Sequence, residues 1–215
     1  MTHRPRAAAF AGAIPEFPTL APPAPRTPEM EVADAVATAM WRSLALHDEL
    51  TAAHSSRVAQ RAVALATCCG MTAADRWVLR RGALLHDIGK LRVPDALLNK
   101  PAHLDVAERT IINQHPEDGG TLIDAVFPLR AIRDLVLFHH ERWDGQGYPR
   151  GLVGAAIPFG ARVLAVCDTY DAMTTDRPYR GGVGHERAIA EITRGAGAQF
   201  DPAVVEVFVA TTDPH

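Results

Sequence analysis

The sequence has few cysteines, no long apolar run and little net charge. Only three cysteines occur in 215 residues, and two of them, Cys68 and Cys69, are adjacent, which argues against a disulfide framework or a zinc site with spaced thiolates. No apolar run approaches the roughly 18 residues that a transmembrane helix needs. A net charge of −3 indicates neither a nucleic-acid polymer nor an anionic membrane as partner, so any anion site must be local.

The composition that remains is that of a globular protein with an extended start. Apolar residues make up 47% and charged residues 22% of the chain, which predicts one soluble domain of ordinary size. Seven of the sixteen prolines lie within the first 28 residues, so residues 1–26 are predicted to be a disordered tail and 27–215 the domain. Prolines also interrupt the short apolar stretch near the N-terminus, and we expect a cytoplasmic protein rather than a secreted one.

Helical spacing and helix-end signals predict an all-α fold. Thr27 followed by Pro28 is a typical helix start, and the apolar residues after it repeat at helical spacing. A second helix carries His54 on its apolar face and ends before Gly70. The stretch IPFGARVLAVCDTYDAM is compatible with a strand or a buried helix when it is considered alone.

Two further helices begin with a capping-box pattern. The residues TAAD at 72–75 predict a helix that runs to His86, and DVAE at 105–108 predict another. The second is expected to end at His115, because Pro116 limits its continuation.

Five histidines and two aspartates recur at the ends or on the inner faces of these helices. Burying each of them without a partner costs about 1–3 kcal/mol, whereas one metal centre compensates them together. Nitrogen and carboxylate ligands without thiolates suit iron, manganese or zinc. The candidate ligands are His54, His86, Asp87, His115, His139, His140 and Asp168.

Asp87 has two oxygens and can bridge two metal ions. Two ions about 3.5–4 Å apart hold a shared hydroxide that can attack a phosphoester. His139 and His140 point about 100° apart on a helix, so both are ligands only if the helix end faces the centre or if they serve different ions.

The motifs together resemble the HD-GYP family, a branch of the HD-domain phosphohydrolases. The resemblance covers about residues 45–205 in family order, and it implies an HD-domain helical bundle with a GYP-containing loop. It rests on HSSRV, HDIGK, VPDALLNKP, His115 with Gly119, HHERWDGQGYPRGL, IPFGARVLAVCDTYDAMTTDRPYR and FDP.

The resemblance also implies a reaction and a ligand set. Members of the family hydrolyse the bacterial messenger cyclic di-GMP to pGpG or GMP with iron or manganese ions, and zinc is also chemically suited. By position, one metal would be held by His54, His86, Asp87 and Asp168, and the second by His115, His139 and His140, with Asp87 between them.

The resemblance assigns substrate contacts as well. Lys90 corresponds to a lysine near the scissile phosphate, and Arg177 and Arg180 to arginines that grip phosphate or guanine. The loop residues Gly147, Tyr148 and Pro149 would form the rim of the nucleotide site, where a tyrosine stacks on guanine or donates its hydroxyl. We expect Glu141 and Arg142 to form pairs that hold the neighbouring histidines.

Two departures from the family pattern change these expectations. Leu50 stands where some members have a glutamate that recruits a third metal, so two metals are predicted. His47 is interpreted as a helix-end or surface residue rather than as a substitute ligand. About 45 residues before the motifs cannot hold a receiver, PAS or GAF domain. We therefore expect either a separate regulatory or GGDEF-type partner protein or no signal input. The helix that starts at Thr27 either pairs subunits in a homodimer or packs on its own domain.

The motifs are also compatible with two other functions. One is an HD phosphohydrolase that acts on another cyclic dinucleotide, such as cyclic GMP-AMP, or on another phosphoester. The other is a non-catalytic module that binds cyclic di-GMP and acts as a sensor or a protein-interaction module. Product analysis on several dinucleotides with metal-loaded protein distinguishes these functions.

Overall fold

The computed structural model describes residues 27–98, 100, 102–176 and 181–212. The predicted tail, residues 1–26, lies outside this part of the chain. The described residues contain ten α-helices and no β-strand, only two isolated bridges, and the predicted all-α class is therefore confirmed. The helices are α1 (Pro28–His47), α2 (Glu49–Cys68), α3 (Ala73–Leu85), α4 (Asp95–Leu98), α5 (Val106–Ile112), α6 (His115–Asp124), α7 (Arg133–Phe138), α8 (Phe159–Thr174), α9 (His185–Arg194) and α10 (Pro202–Thr212).

Helix α1 begins where its capping residues predict. The Thr27 side chain accepts a hydrogen bond from the backbone N–H of Met30, and Pro28 occupies the first turn, where its missing N–H has no partner to lose. One stripe of the helix is buried: Ala33, Ala37, Trp41 and Leu44. The stripe packs on the rest of the domain, and the Trp41 indole N–H donates to the carbonyl of Ala52 in α2.

The ambiguous apolar stretch is the central helix α8. Its β-branched residues Val163 and Val166 are fully buried, as are Leu164 and Cys167. Burial on most sides removes the alternation that separates a strand from a helix in sequence. The segment forms a helix that packs against α2, α3, α7, α9 and α10, and these tertiary contacts favour the helix over a strand.

The prediction of one helix from Asp105 to His115 was wrong. Its start is confirmed, because the Asp105 carboxylate accepts from the Glu108 N–H and the Glu108 carboxylate accepts from the Asp105 N–H. Helix α5 nevertheless ends at Ile112, and α6 begins at His115 with Pro116 in its first turn. Proline is tolerated in a first turn, because N–H groups there have no acceptor within the helix.

A glycine contact brings α6 against the turn that follows α3. A Cβ atom at Gly89 would collide with the carbonyl oxygen of His115, so only glycine permits this approach. The contact sets the backbone after His86 and Asp87 directly beside the first residue of α6. None of the described helices is both long enough and apolar enough to cross a membrane.

Candidate metal centre

Five separate segments bring the seven predicted ligands together. His54 lies in α2, His86 and Asp87 directly follow α3, and His115 starts α6. His139 and His140 follow α7, and Asp168 lies in α8. The helix end after α7 faces the centre, which is the arrangement that adjacent histidine ligands require.

The side chains form two groups around Asp87. The ligand atoms of His54, His86 and Asp87 all lie within 4.8 Å of one another, and those of His115, His139 and His140 form a second such group. Asp87 faces both groups: Oδ2 lies 3.4 Å from His86 Nε2, and Oδ1 lies 3.2 Å from His115 Nε2. The carboxylate therefore stands where a bridge between two ions would stand.

Asp168 belongs to the group that contains His54. Its Oδ1 lies 2.9 Å from His54 Nε2 and 4.0 Å from His86 Nε2. Burial by itself would raise the pKa of Asp168, but the hydrogen bond to His54 and the nearby imidazoles lower this pKa below its ordinary value. The group thus contains two anionic oxygens beside two imidazoles.

Three of the imidazoles are oriented by backbone carbonyls. In each case Nδ1 bonds to the carbonyl oxygen three residues earlier: Ala83 for His86 at 2.7 Å, Ile112 for His115 at 2.8 Å and Val136 for His139 at 2.8 Å. A carbonyl only accepts, so Nδ1 carries the hydrogen and the Nε2 lone pair faces the centre. The backbone thus sets the tautomer that a metal ligand needs.

The site fits a bound cation. His86 Nε2 is buried and has no hydrogen-bond partner among the described residues, and an orphaned buried acceptor costs about 1–3 kcal/mol. Burial also lowers the pKa of His139 well below its ordinary value and that of His140 to about 4, so both imidazoles are neutral. Neutral nitrogens and carboxylates suit borderline and hard divalent metals.

His54 is held by a carboxylate, unlike the three imidazoles that backbone carbonyls orient. Its Nδ1 lies 2.7 Å from Asp171 Oδ2, and Arg57 donates to both oxygens of Asp171 at 2.9 Å. Burial would lower the pKa of His54, but Asp168 and Asp171 raise it to about 9. The sequence analysis missed Asp171 and Arg57. The available signal was that Asp171 follows Asp168 by three residues and so shares its helix face.

Lys90 lies at the edge of the centre, in the short 3-10 helix Ile88–Arg92. Its Nζ lies 2.6 Å from Asp87 Oδ2, and its side chain is 23% exposed. Burial would raise the pKa of Asp87, but Lys90 and the adjacent imidazoles lower it well below its ordinary value. The site therefore keeps the Asp87 carboxylate ionised, and the Lys90 ammonium lies on its solvent-facing side.

The loop after His140 is fastened by Glu141. This buried carboxylate accepts hydrogen bonds from the backbone N–H of Arg150 at 2.7 Å and of Leu152 at 3.0 Å. It therefore closes the loop and does not pair with Arg142, which bonds Asp144 at 2.7 Å and 3.0 Å instead.

The GYP residues form one side of the site. A Cβ atom at Gly147 would collide with the backbone of Arg142, so this position accepts only glycine. The Tyr148 ring lies 4.9 Å from the His140 ring, tilted by 31°. Pro149 follows through a cis peptide bond.

The order of these residues matches a known family. A family model described as "HD domain" matches residues 39–204 of the chain. The chain belongs to the HD-domain family. The model covers the two candidate metal groups and the loop after His140.

Curated relatives of this HD domain include phosphodiesterases for two cyclic dinucleotides. The chain is 43% identical over 165 residues to a cyclic di-GMP phosphodiesterase of Pseudomonas aeruginosa, covering 75% of this chain and 39% of the relative. It is 36% identical over 169 residues to the 3'3'-cGAMP-specific phosphodiesterase 3 of Vibrio cholerae, covering 79% and 37%. The chain thus spans less than half the length of these relatives.

A solved structure supports the fold. An HDG"Y"P protein from Bdellovibrio bacteriovorus superposes on this HD domain with a TM-score of 0.67 at 20% identity, covering 86% of this chain and 65% of the other. With the curated relatives, the family match confirms the resemblance to HD-GYP proteins.

Four other positions were singled out in the sequence. Arg177 and Arg180 lie outside the described residues. Leu50, in the first turn of α2, is 64% exposed. His47 ends α1, and its Nε2 lies 3.4 Å from Asp95 Oδ1.

Proposed function

We propose that this HD domain is a metal-dependent phosphodiesterase that hydrolyses cyclic di-GMP to pGpG or GMP. The observation that carries the proposal is the pair of buried ligand groups with one oxygen of Asp87 facing each. A bridged two-metal site is the arrangement by which many phosphodiesterases act on a phosphate. The 43% identical relative named for this activity supports the substrate.

The proposed ligands divide between two ions. His54, His86, Asp87 and Asp168 would hold one, and His115, His139 and His140 would hold the second together with Asp87. We propose two ions rather than three, because Leu50 offers no donor atom. Iron and manganese are the proposed metals, and zinc is also chemically suited. When bound, such ions supply the Lewis acidity that ionises a water and neutralises charge on phosphoryl oxygens.

The protein's own groups position the substrate. Lys90 Nζ, partly exposed beside Asp87, donates to a phosphoryl oxygen and so opposes the negative charge that develops there. Tyr148 at the rim offers a ring face and a hydroxyl. Burial, with Asp87 and Asp168 nearby, raises the pKa of Tyr148, so its hydroxyl keeps its proton and donates. Arg177 and Arg180 are proposed to bind phosphate or guanine.

A second candidate substrate is 3'3'-cyclic GMP-AMP. The 36% identical relative is named for that molecule, and both substrates present the same kind of phosphodiester to the centre. The non-catalytic sensor ranks lower, because the donor atoms for two ions are all present. Regulation by a separate partner protein and a homodimer remain predictions.

The test is product chromatography with Asp87→Ala. Wild-type protein loaded with Mn²⁺ or Fe²⁺ under reducing conditions is expected to convert cyclic di-GMP to pGpG or GMP. The variant should lose turnover and bind less metal, while its helical circular-dichroism signal stays close to wild type. Asp124→Ala, which removes an exposed carboxylate at the end of α6, is the matched control. Full turnover in Asp87→Ala would refute the bridging role, and binding without turnover in wild type would favour the sensor.

A further inference from the structure

A small cavity of about 190 Å³ opens beside the candidate metal centre. The candidate ligands His139, His140 and Asp168 form one part of its wall. This volume lies below the roughly 300 Å³ of a pocket for a drug-sized ligand. The cavity therefore suits one ring system of a nucleotide, with the attached phosphate at the metals, rather than a whole dinucleotide.

Another part of the wall is uncharged. Tyr148, Gln146, Thr169 and Gln199 line it. An amide offers both donors and an acceptor, and a hydroxyl offers one of each. This part of the wall thus presents both hydrogen-bond donors and acceptors beside an aromatic ring.

Two charged groups in the same wall are paired within the loop. The Glu141 carboxylate accepts from two loop N–H groups, and the Arg142 guanidinium donates two hydrogen bonds to Asp144. Both groups are therefore held by partners in the loop. The uncharged amides and the hydroxyl offer further hydrogen bonds without adding charge.

Gln199 is placed by backbone bonds between distant parts of the chain. The Trp143 N–H donates to the Gln199 carbonyl at 3.2 Å, and the Asp144 N–H donates to the Ala198 carbonyl at 2.8 Å. These bonds tie the turn before α10 to the loop after His140. The backbone that carries the Gln199 side chain is thus already ordered, so ligand binding does not have to order this segment.

We propose that Gln199, together with Gln146 and Thr169, reads the hydrogen-bonding edge of a purine base that lies against Tyr148. The inference rests on the proposed function, because it assumes that a cyclic dinucleotide places its phosphate at the metal centre. A purine edge carries donors and acceptors side by side, which matches amide and hydroxyl groups. A flat ring also stacks favourably on an aromatic side chain.

The test compares two substrates of metal-loaded enzyme. Cyclic di-GMP carries bases, whereas bis(p-nitrophenyl) phosphate is a phosphodiester without a base. In Gln199→Leu, the ratio of kcat/KM for cyclic di-GMP to that for the base-free diester should fall about three- to tenfold, as the loss of one hydrogen bond predicts. Gln60→Leu removes an exposed glutamine in α2 and should keep the wild-type ratio.

A second variant and a binding measurement test the base-reading role independently of Gln199→Leu turnover. Thr169→Val preserves side-chain shape and should lower the same ratio. Misfolding of Gln199→Leu could not explain a fall that both variants show. Wild-type protein should bind GMP more tightly than ribose 5-phosphate, and Gln199→Leu should lose most of that preference. An unchanged ratio and an unchanged GMP preference in both variants overturn the base-reading role. A wild-type protein that cleaves neither diester contradicts the proposed function instead, and the GMP comparison then still decides the cavity.

Discussion

Replacing Asp171 tests whether a carboxylate behind His54 strengthens metal binding. The side chain is 2% exposed; it lies 2.7 Å from His54 Nδ1 and accepts two hydrogen bonds from Arg57 at 2.9 Å. Asp171→Asn keeps an oxygen that can accept from His54 but removes the negative charge. Asp171→Ala removes both the charge and the acceptor, so His54 loses the group that sets its ring orientation and tautomer.

The expected loss follows from the role of such partners in metal sites. Loss of the group that orients a metal-bound histidine typically lowers metal affinity 10- to 100-fold, which is about 1.4–2.8 kcal/mol of binding free energy. We expect Asn near the lower value and Ala near the upper one. Only one of two bound ions should be affected, because backbone carbonyls orient His86, His115 and His139.

The assay is calorimetric titration of metal-free protein with Mn²⁺, with circular dichroism to confirm folding. Asp134→Asn, an exposed carboxylate in the first turn of α7, is the control and should bind as wild type. Wild-type affinity at both sites in Asp171→Ala would show that Asp171 does not support His54. Equal weakening at both sites would indicate a general structural defect.

Three further predictions concern packing, the loop and pH. Gly89→Ala should destabilise the fold by about 3 kcal/mol or more, because the new methyl group meets the His115 carbonyl; Gly120→Ala, which meets only ordinary contacts, should be neutral or stabilising in thermal unfolding. Glu141→Gln turns an N–H donor toward a loop N–H, so it should lower the free energy of unfolding by about 1–3 kcal/mol. A midpoint of guanidinium unfolding equal to that of the wild type would contradict the role of Glu141 in holding the loop. In metal-free protein, burial lowers the pKa of His140 from 6.5 to about 4, so the stability it contributes is present above pH 6.5 and is lost as pH falls through 4. The pKa of His54 is raised from 6.5 to about 9, so its contribution is present below pH 6.5 and is lost as pH rises through 9. The Tm in EDTA should therefore peak near pH 6.5, and a Tm that rises steadily from pH 5 to 9 would refute this account.

The helix starts were predictable because they depend on residues close together in sequence. Thr27 caps the backbone N–H of Met30 and Asp105 that of Glu108, bonds that span three residues. The same local rule failed at His115, because Pro116 fits a first turn as well as it ends a helix. Only the close packing of α6 on Gly89 shows which of the two occurs.

The seven candidate ligands were likewise identified from residue type and motif order. The orientation of three of these imidazoles also depends on local sequence, because the carbonyl that accepts from each Nδ1–H lies three residues earlier. What the sequence by itself determined is therefore several helix starts, the set of candidate ligands and the backbone carbonyls that lie within reach of three of their imidazoles.

Tertiary structure alone decided which groups meet across long separations. Asp171 reaches His54 over 117 residues, and the backbone near Gln199 bonds the loop near Trp143. A carboxylate or an amide in a sequence carries no sign of such a partner, because many exposed positions hold the same residue types. Their roles depend on side-chain packing that brings α2, α8 and the loops together, and distance along the chain does not encode that packing.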